Sequence, residues 1–388
     1  MNAGQYVFSQ LLGFLPRHEF DRCVERYKGN YRVQSFSCWD QFLCMAFAQL
    51  TSRESLRDIE ICLRSHQSSL YHLGFRGTIS RSTLADANEL RDYRIYADFA
   101  KVLIDRAKRL YAGDSSGIDL DGAVYAFDST TIKLCLSLFP WAHFRTTKGA
   151  IKMHTLLDLH GNIPSFIKIS TGNVHDVNML DYLPVEAGSY YLVDRAYVDF
   201  VRLYRLHQQL AYFVTRAKSN MLYSRRESRP VDHSTGLRSD QSIRLTGRLT
   251  SRAYPILLRR VTFRDTEKER SLEFLSNNFH VPALTIPDLY RCRWRVELFF
   301  KWVKQNLCFK RFYGNSMNAV QSQIWIAVCI YVLIMILRKE LQLNLSPTEI
   351  HRVLSLALFD KDPIENVLII PFHQEENNLI FNQLELFN

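Results

Sequence analysis

Apolar positions in the first 110 residues recur every three or four places, as in "CWDQFLCMAFAQL" and "YADFAKVLIDRAKRL". Strand-like alternation is rare there, so the region is predicted to be helical throughout. Within it, "SLRDIEICLRS" and "ISRSTLADANELRDYR" are compatible with a helix-turn-helix or with an ordinary helical pair, Ser80 being the N-cap of the second helix. Near Gly117 the period changes. "GAVYAFDSTTIKL" is an apolar run ending in Asp128, and "AIKMHTLLDLHGNIPSFIKIST" reads as two strands turning at "HGN". "HDVNMLDYLP" reads as a short helix, "SYYLVDRAYVD" as a buried strand ending in Asp194, and "DFVRLYRLHQQL" as a helix again. In residues 211–280, four segments ("YFVTRAKS", "SIRLTGRLT", "YPILLRRVTFRD", "SLEFLSNN") read as strands with arginines on alternate positions. The most apolar run, Ile324 to Leu337, is short for a bilayer span and suits a buried helix.

The order strand, strand, strand, helix, strand, helix is that of a ribonuclease-H-like fold. The expected class is therefore α+β: a ribonuclease-H-like mixed sheet with flanking helices, a β-rich insertion and an all-α N-terminal domain. The expected divisions are 1–112 for the helical domain, 118–210 and 281–340 for the two parts of the core, 211–280 for the insertion and 341–388 for an acidic tail.

Charge narrows the function classes. The chain of 388 residues carries a net charge of +10, which favours an acidic partner, most often nucleic acid. Residues 212–265 hold 12 Arg/Lys against 4 Asp/Glu, and residues 286–311 hold 7 against 2. From Arg338 onward the balance reverses, 4 against 8, so the anion-binding surface is expected in the second half of the chain before the tail. The 8 cysteines show no C-x-x-C spacing, which speaks against zinc and a disulfide framework and for reduced thiols in a cytoplasmic protein. The N-terminal residues lack the basic stretch of a signal peptide, and a soluble protein is expected.

The segment "LYRCRWRVELFFKWVKQNL", residues 289–307, carries one carboxylate among five cations. At about 100° per residue, Tyr290, Arg293, Glu297 and Lys304 fall within an arc of roughly 60°. Val296, Phe299, Phe300, Val303 and Leu307 line the opposite side as a core-facing stripe. Two readings of Glu297 stand side by side: a surface ion-pair ladder with Arg293 and Lys301, or a metal ligand beside a polyanion. Asp128 and Asp194 favour the second. Ligands of open parallel sheets bind beyond the strand ends, and carboxylates gathered there repel one another unless cations bind. A single strand-end Asp is otherwise an ordinary cap or turn residue.

The spacing Tyr290-x2-Arg293-x3-Glu297-x6-Lys304 resembles the Y-R-E-K signature of bacterial DDE transposases of the insertion-sequence-four family. "AFDSTTIKL" and "LVDRAYVDF" resemble that family's two Asp motifs, at intervals of 66 residues (194 − 128) and 103 residues (297 − 194). "FRTTKGAIKMH" and "GNVHDVNML" also sit where relatives have comparable text. The resemblance covers residues 120–335 well and the N-terminal region more loosely. It implies that Asp128, Asp194 and Glu297 are catalytic and bind two Mg²⁺ ions, with Mn²⁺ as a substitute. Tyr290, Arg293 and Lys304 would contact phosphates, and Trp294 would pack near the site. Apart from the resemblance, Lys301 on the polar face and the alternating Arg244, Arg248 and Arg252 of the insertion are expected to add DNA contacts by their charge. The expected partners are double-stranded DNA, as terminal inverted repeats and target, and a second copy of the chain in a synaptic homodimer. No membrane is expected, and the location is cytoplasmic, associated with the nucleoid. The alternatives are a ribonuclease-H-like nuclease without strand transfer and a catalytically inactive, transposase-derived DNA-binding protein. His154 and His175 are weaker candidates for metal or DNA contact, Asp176 reads as an N-cap, and Asp158 and Asp181 have no claim beyond being acidic.

Overall fold

A computed structural model describes residues 4–76, 79–145, 148–265, 269–308 and 311–369. Thr146 and Thr147 of "FRTTKGAIKMH" and residues 370–388 of the expected 341–388 tail lie outside the described residues. The described N-terminal residues form helices α1 (Val7–Leu12), α2 (Arg17–Arg26), α3 (Cys38–Leu50), α4 (Leu56–Ser65), α5 (Arg81–Leu90) and α6 (Arg94–Tyr111). Serine hydroxyls start three of them: Ser37, Ser55 and Ser80 accept the backbone N–H groups of Asp40, Asp58 and Thr83. The connection from α4 to α5 occupies residues 66–80 and contains a 3-10 turn, Gln67–Ser69, instead of the three or four residues of a helix-turn-helix. Apolar spacing locates helices but does not fix the angle or the path between them.

The chain then builds β1 (Val124–Leu134), β2 (His143–Arg145), β3 (Lys148–Asp158), β4 (Ile163–Thr171), β5 (Tyr190–Val193), α7 (Phe200–Gln208) and β6 (Tyr212–Arg216). Strand β3 pairs antiparallel with β1 and β4, whereas β5 runs parallel to both β1 and β6. The turn from β3 to β4 falls at "HGN" as expected, Gly161 and Asn162 taking φ of 74° and 57°. "HDVNMLDYLP" becomes a 3-10 segment, Asp176–Tyr182.

Strands β7 (Tyr223–Arg229), β8 (Leu237–Leu245), β9 (Leu258–Asp265) and β10 (Arg270–Ser276) follow, with α8 (Thr250–Ala253) between β8 and β9. All ten strands form one mixed sheet in the order β2-β3-β1-β5-β6-β10-β9-β8-β7, with β4 attached to β3. Two details differ from the expectation. "YFVTRAKS", assigned above to the insertion, is β6 and pairs with β5 in the centre of the sheet. Strand β7, "YSRRESR", is not among the expected strands, because its side chains are largely charged and no apolar alternation marks it.

Helices α9 (Thr285–Cys292), α10 (Trp294–Asn306), α11 (Met317–Glu340), α12 (Pro347–Ala357) and α13 (Ile364–Leu368) complete the fold. Sheet residues are buried on both faces. Val124, Ala126, Leu192 and Val214 pack into one core with α6, α10 and α11, while Tyr125, Phe127, Tyr191, Val193 and Phe213 pack into a second with α7. Helix α11 is long and apolar enough by composition to cross a membrane, but 89% of its apolar window is buried within this fold, so it is a core helix. The N-terminal helices share the core of α11, in that Tyr111 donates to the Met335 carbonyl and α6 lies along α11. The described N-terminal helices and α11 therefore form one continuous core.

Candidate active site

Strand register assembles the first two carboxylates. The parallel pairing of β1 with β5 ends at Phe127 and Val193, so Asp128 and Asp194 are the next residue on each of two adjacent strands. Neighbouring strands lie about 4.8 Å apart, so the two side chains emerge together at the carboxyl ends of the parallel strands. Asp128 does not end its strand, as the sequence suggested. Strand β1 continues to Leu134 with β3 as its partner, while β5 gives way after Val193 to a 3-10 turn that Asp194 caps through Ala196 N–H at 3.0 Å.

The third carboxylate arrives on α10. The segment 289–307 is not one unbroken helix, because α9 and α10 meet at Arg293, where the Arg293 N–H bonds to the Tyr290 carbonyl and the Val296 N–H to the Arg293 carbonyl. The tight turn still leaves Tyr290, Arg293 and Glu297 on one side. The guanidinium of Arg293, a residue only 7% exposed, stands among the carboxylates. It lies 2.7 Å from Glu297 Oε1, 3.3 Å from Asp128 Oδ2 and 3.9 Å from Asp194 Oδ2. The Arg293–Glu297 half of the expected ion-pair ladder is therefore present, with the arginine buried instead of solvated. Its Nε has no hydrogen-bond partner among the described residues. Tyr290 donates to Asp194 Oδ2 at 3.3 Å, and its ring lies 5.4 Å from the Arg293 guanidinium carbon.

Burial pushes the Asp128 carboxyl up to about 6, with Glu297 and Asp194 adding to the rise against the Ser129 N–H and Arg293. Because the folded chain holds this proton more tightly than the unfolded value of 3.8 implies, Asp128 favours the folded state below about pH 4. It loses that contribution as pH rises through about 6. Burial also raises Tyr290 and lowers Lys304.

An open cleft of about 610 Å³ adjoins the carboxylates, lined by Asp128, Ser129, Thr130, Glu297, Phe300, Lys301, Lys304 and Gln305. Of the residues named from sequence, Lys301 and Lys304 thus share the cleft with the acids, and Trp294 is 47% exposed at the start of α10. Arg244, Arg248 and Arg252 are exposed on the insertion, and Arg244 lines a different cavity. Two cations of 289–307 have other duties: Arg295 donates to the Ser116 and Leu159 carbonyls, and Arg291 pairs with Asp288. His154 is fully buried and bonded to Ser170 Oγ at 2.8 Å and does not line the cleft, while His175 is exposed. Asp158 accepts from His160, and Asp181 pairs with Arg202 and Arg205, both apart from the site.

Asp176 is not an N-cap. His175 holds that position, and the Asp176 carboxylate instead accepts Ser129 Oγ at 2.8 Å and Lys152 Nζ at 3.2 Å. Lys152 and Tyr197, whose hydroxyl reaches Asp128 Oδ1 at 3.4 Å, were missed from sequence. A lysine inside an otherwise buried strand was the available signal for the first.

Among the described residues, no three His, Cys, Asp or Glu side chains lie close enough together to hold a metal ion as they stand. The three acids converge on a cation nonetheless, with Arg293 in the central place, and an all-carboxylate set is the donor chemistry that Mg²⁺ takes.

Residues 119–333 match the family described as "Transposase DDE domain", and residues 3–76 match one described as "Domain of unknown function (DUF4372)". The chain is 31% identical over 257 residues to "Putative transposase y4zB" of Sinorhizobium fredii, covering 65% of this chain and 70% of that protein. It is 34% identical over 212 residues to "Probable transposase for insertion sequence element IS5377" of Geobacillus stearothermophilus, covering 53% of this chain and 54% of that protein.

Proposed function

Because this chain belongs to the family of transposases with a DDE domain, we propose that Asp128, Asp194 and Glu297 are its catalytic carboxylates. The protein is a DNA transposase of an insertion sequence, an enzyme that cleaves DNA with the help of metal ions. The observation that carries the residue assignment is the convergence of three acids from β1, the end of β5 and α10 on one buried guanidinium. The core strand order β4-β3-β1-β5-β6, with β3 antiparallel to β1, supports a ribonuclease-H-like reading of the sheet. The Tyr290, Arg293, Glu297 and Lys304 spacing supports a place in the insertion-sequence-four family.

In this reading the substrate is the DNA at the terminal inverted repeats, which is cut to free a 3′-OH that is then joined to target DNA. Asp128, Asp194 and Glu297 would hold two divalent ions, Mg²⁺ or Mn²⁺, which activate the attacking water or hydroxyl and stabilise the leaving oxygen at the phosphodiester. Arg293 turns from the carboxylates to a phosphate, whose two oxygens suit its planar fork. Tyr290 keeps Asp194 in place through its hydroxyl, and once metal ions engage Asp194 that single O–H is proposed to turn to a DNA phosphate. Lys301 and Lys304 supply positive charge along the cleft, and Trp294 packs beside the DNA at the start of α10. A homodimer is proposed because synapsis joins two ends. The test is cleavage of a labelled end fragment in Mg²⁺ or Mn²⁺ beside a binding control in Ca²⁺. Strand transfer in the same reaction separates a transposase from a nuclease that only cuts.

If Arg293 holds the place of a cation until phosphate draws it away, Arg293→Gln should bind Mn²⁺ without DNA at least tenfold more tightly than the unaltered chain. Electron paramagnetic resonance of the Mn²⁺ reads this directly. Equal affinities would show that the guanidinium does not compete.

The insertion is proposed to hold DNA phosphates without reading sequence. Arg244, Arg248 and Arg252 are exposed and make no side-chain hydrogen bond or ion pair among the described residues. Replacing all three with Ala should lower end binding. It should also reduce the slope of log affinity against log salt by roughly one unit for each phosphate left without its arginine. An unchanged slope would place the insertion away from DNA. The N-terminal helices are proposed to recognise the ends. Since α6 shares a core with α11, point changes are the sound test: Arg57→Glu with Arg81→Glu, both at exposed positions, should lower discrimination between end and random DNA.

A further inference from the structure

Lys152 and His154 of "KGAIKMH" and Asp176 of "GNVHDVNML" stand outside the three-acid cluster. The fold brings them together directly behind Asp128. Side chains alternate along β1, so Asp128 points with Ala126 to the face that carries α10, and Ser129 points with Phe127 to the opposite face. There Ser129 Oγ donates to Asp176 Oδ1 at 2.8 Å. Lys152, 9% exposed, donates to Asp176 Oδ2 at 3.2 Å and to the Val174 carbonyl at 2.8 Å. His154 Nδ1 lies 3.6 Å from Asp176 Oδ1 without a hydrogen-bond partner among the described residues, and burial lowers that imidazole to about 4, so it is neutral near pH 7. Lys152 is thus the charge that meets Asp176.

The place needs such a support. Strand β5 stops pairing with β1 at Phe127, so on that side Asp128 and Ser129 have no ladder neighbour. Among the described residues the Ser129 N–H makes the shortest hydrogen bond to the Asp128 carboxylate, donating to Oδ1 at 2.8 Å, against 3.4 Å from the Tyr197 hydroxyl and 3.3 Å from Arg293. We propose that Lys152, Asp176 and Ser129 form a positioning chain that fixes the Asp128 carboxylate from the far face of the sheet. Lys152 anchors Asp176 to the sheet, Asp176 holds the Ser129 hydroxyl, and the Ser129 amide holds Asp128 Oδ1, which leaves Oδ2 to meet Arg293. The inference rests on Asp128 being a catalytic carboxylate.

The experiment is single-turnover cleavage of a labelled end fragment by the full chain at a series of enzyme concentrations, which separates the maximal rate from half-saturation. Asp176→Asn, Lys152→Met and Ser129→Ala should each lower the maximal rate about 10–100-fold, as losses behind a ligating carboxylate do, with half-saturation unchanged. Lys152→Arg, which keeps the charge, should restore much of the rate. The chain also makes a claim about coupling: Asp176→Asn combined with Ser129→Ala should lose no more than the worse single variant. Multiplying losses in the double variant, a full maximal rate in Asp176→Asn, or a loss of end binding equal to the loss of rate would each overturn the proposal. Asp128→Asn, run alongside, separates the two levels. If it cuts normally, the assignment of the catalytic acids has failed; if it is inactive while Asp176→Asn is normal, only the positioning chain has failed.

Discussion

Glu297→Gln should lower end cleavage and strand transfer by orders of magnitude while leaving end binding intact or tighter. Gln keeps the size and helix preference of Glu and still accepts a hydrogen bond from Arg293, but it removes the charge that a divalent cation requires. It also removes one negative charge facing DNA phosphates. If Glu297 were only the ion-pair partner of Arg293, the change would cost about 1 kcal/mol of stability or less, given that its own side chain is 32% exposed, and cutting would stay near normal. Asp128→Asn and Asp194→Asn should behave like Glu297→Gln. Asp158→Asn should cut normally, because Asp158 accepts from His160 at the β3–β4 turn and contributes nothing to the cleft. Near-normal cutting by folded Glu297→Gln protein would remove the proposed triad.

Arg259→Met should unfold the insertion side of the sheet more readily without acting through DNA. Arg259 lies in "YPILLRRVTFRD", one of the insertion segments read from sequence as strands with arginines on alternate positions. In the structure it is 3% exposed and forks onto both oxygens of Asp240, at 2.9 Å each, and also donates to the Asn278 and Val281 carbonyls. Removing one partner of a buried pair leaves the other charge uncompensated, at a cost of about 3–5 kcal/mol. The lower end applies here, since Arg229 also approaches Asp240 at 3.3 Å. Denaturant unfolding of Arg259→Met beside Arg248→Ala checks this, the latter being expected within about 0.5 kcal/mol of the unaltered chain. Equal stabilities would show that the Arg259 pair does not hold the insertion.

Much of the site was legible because its parts are local. Asp128 and Asp194 follow short apolar runs that must be buried strands, and one helical period places Tyr290, Arg293 and Glu297 on one side. Chain periodicity carries no information about which strands are neighbours. The pairing of β1 with β5, which sets the two aspartates side by side, the central place of β6 and the continuation of the sheet through β10 are consequences of non-local packing.

For the same reason alternate arginines looked alike. Arg244 and Arg259 both recur at strand spacing, but only the fold decides which face each meets, and burial turns one into a core ion pair while leaving the other in water. Asp176 shows the limit most plainly: as an acid before a short helical segment it resembles a cap, and only the register of β1 with β3, which sets Ser129 opposite His154, reveals that its partners stand behind Asp128. The sequence by itself determined the helical character of the first 110 residues, the long apolar helix, most of the strands, the three candidate acids and the basic segments, because each follows from spacing and charge along the chain. Helices α12 and α13, by contrast, lie in the segment read only as an acidic tail. Tertiary structure alone decided which acids converge, that Arg293 stands among them, and which arginines are spent on the fold, because those depend on contacts between residues far apart in sequence.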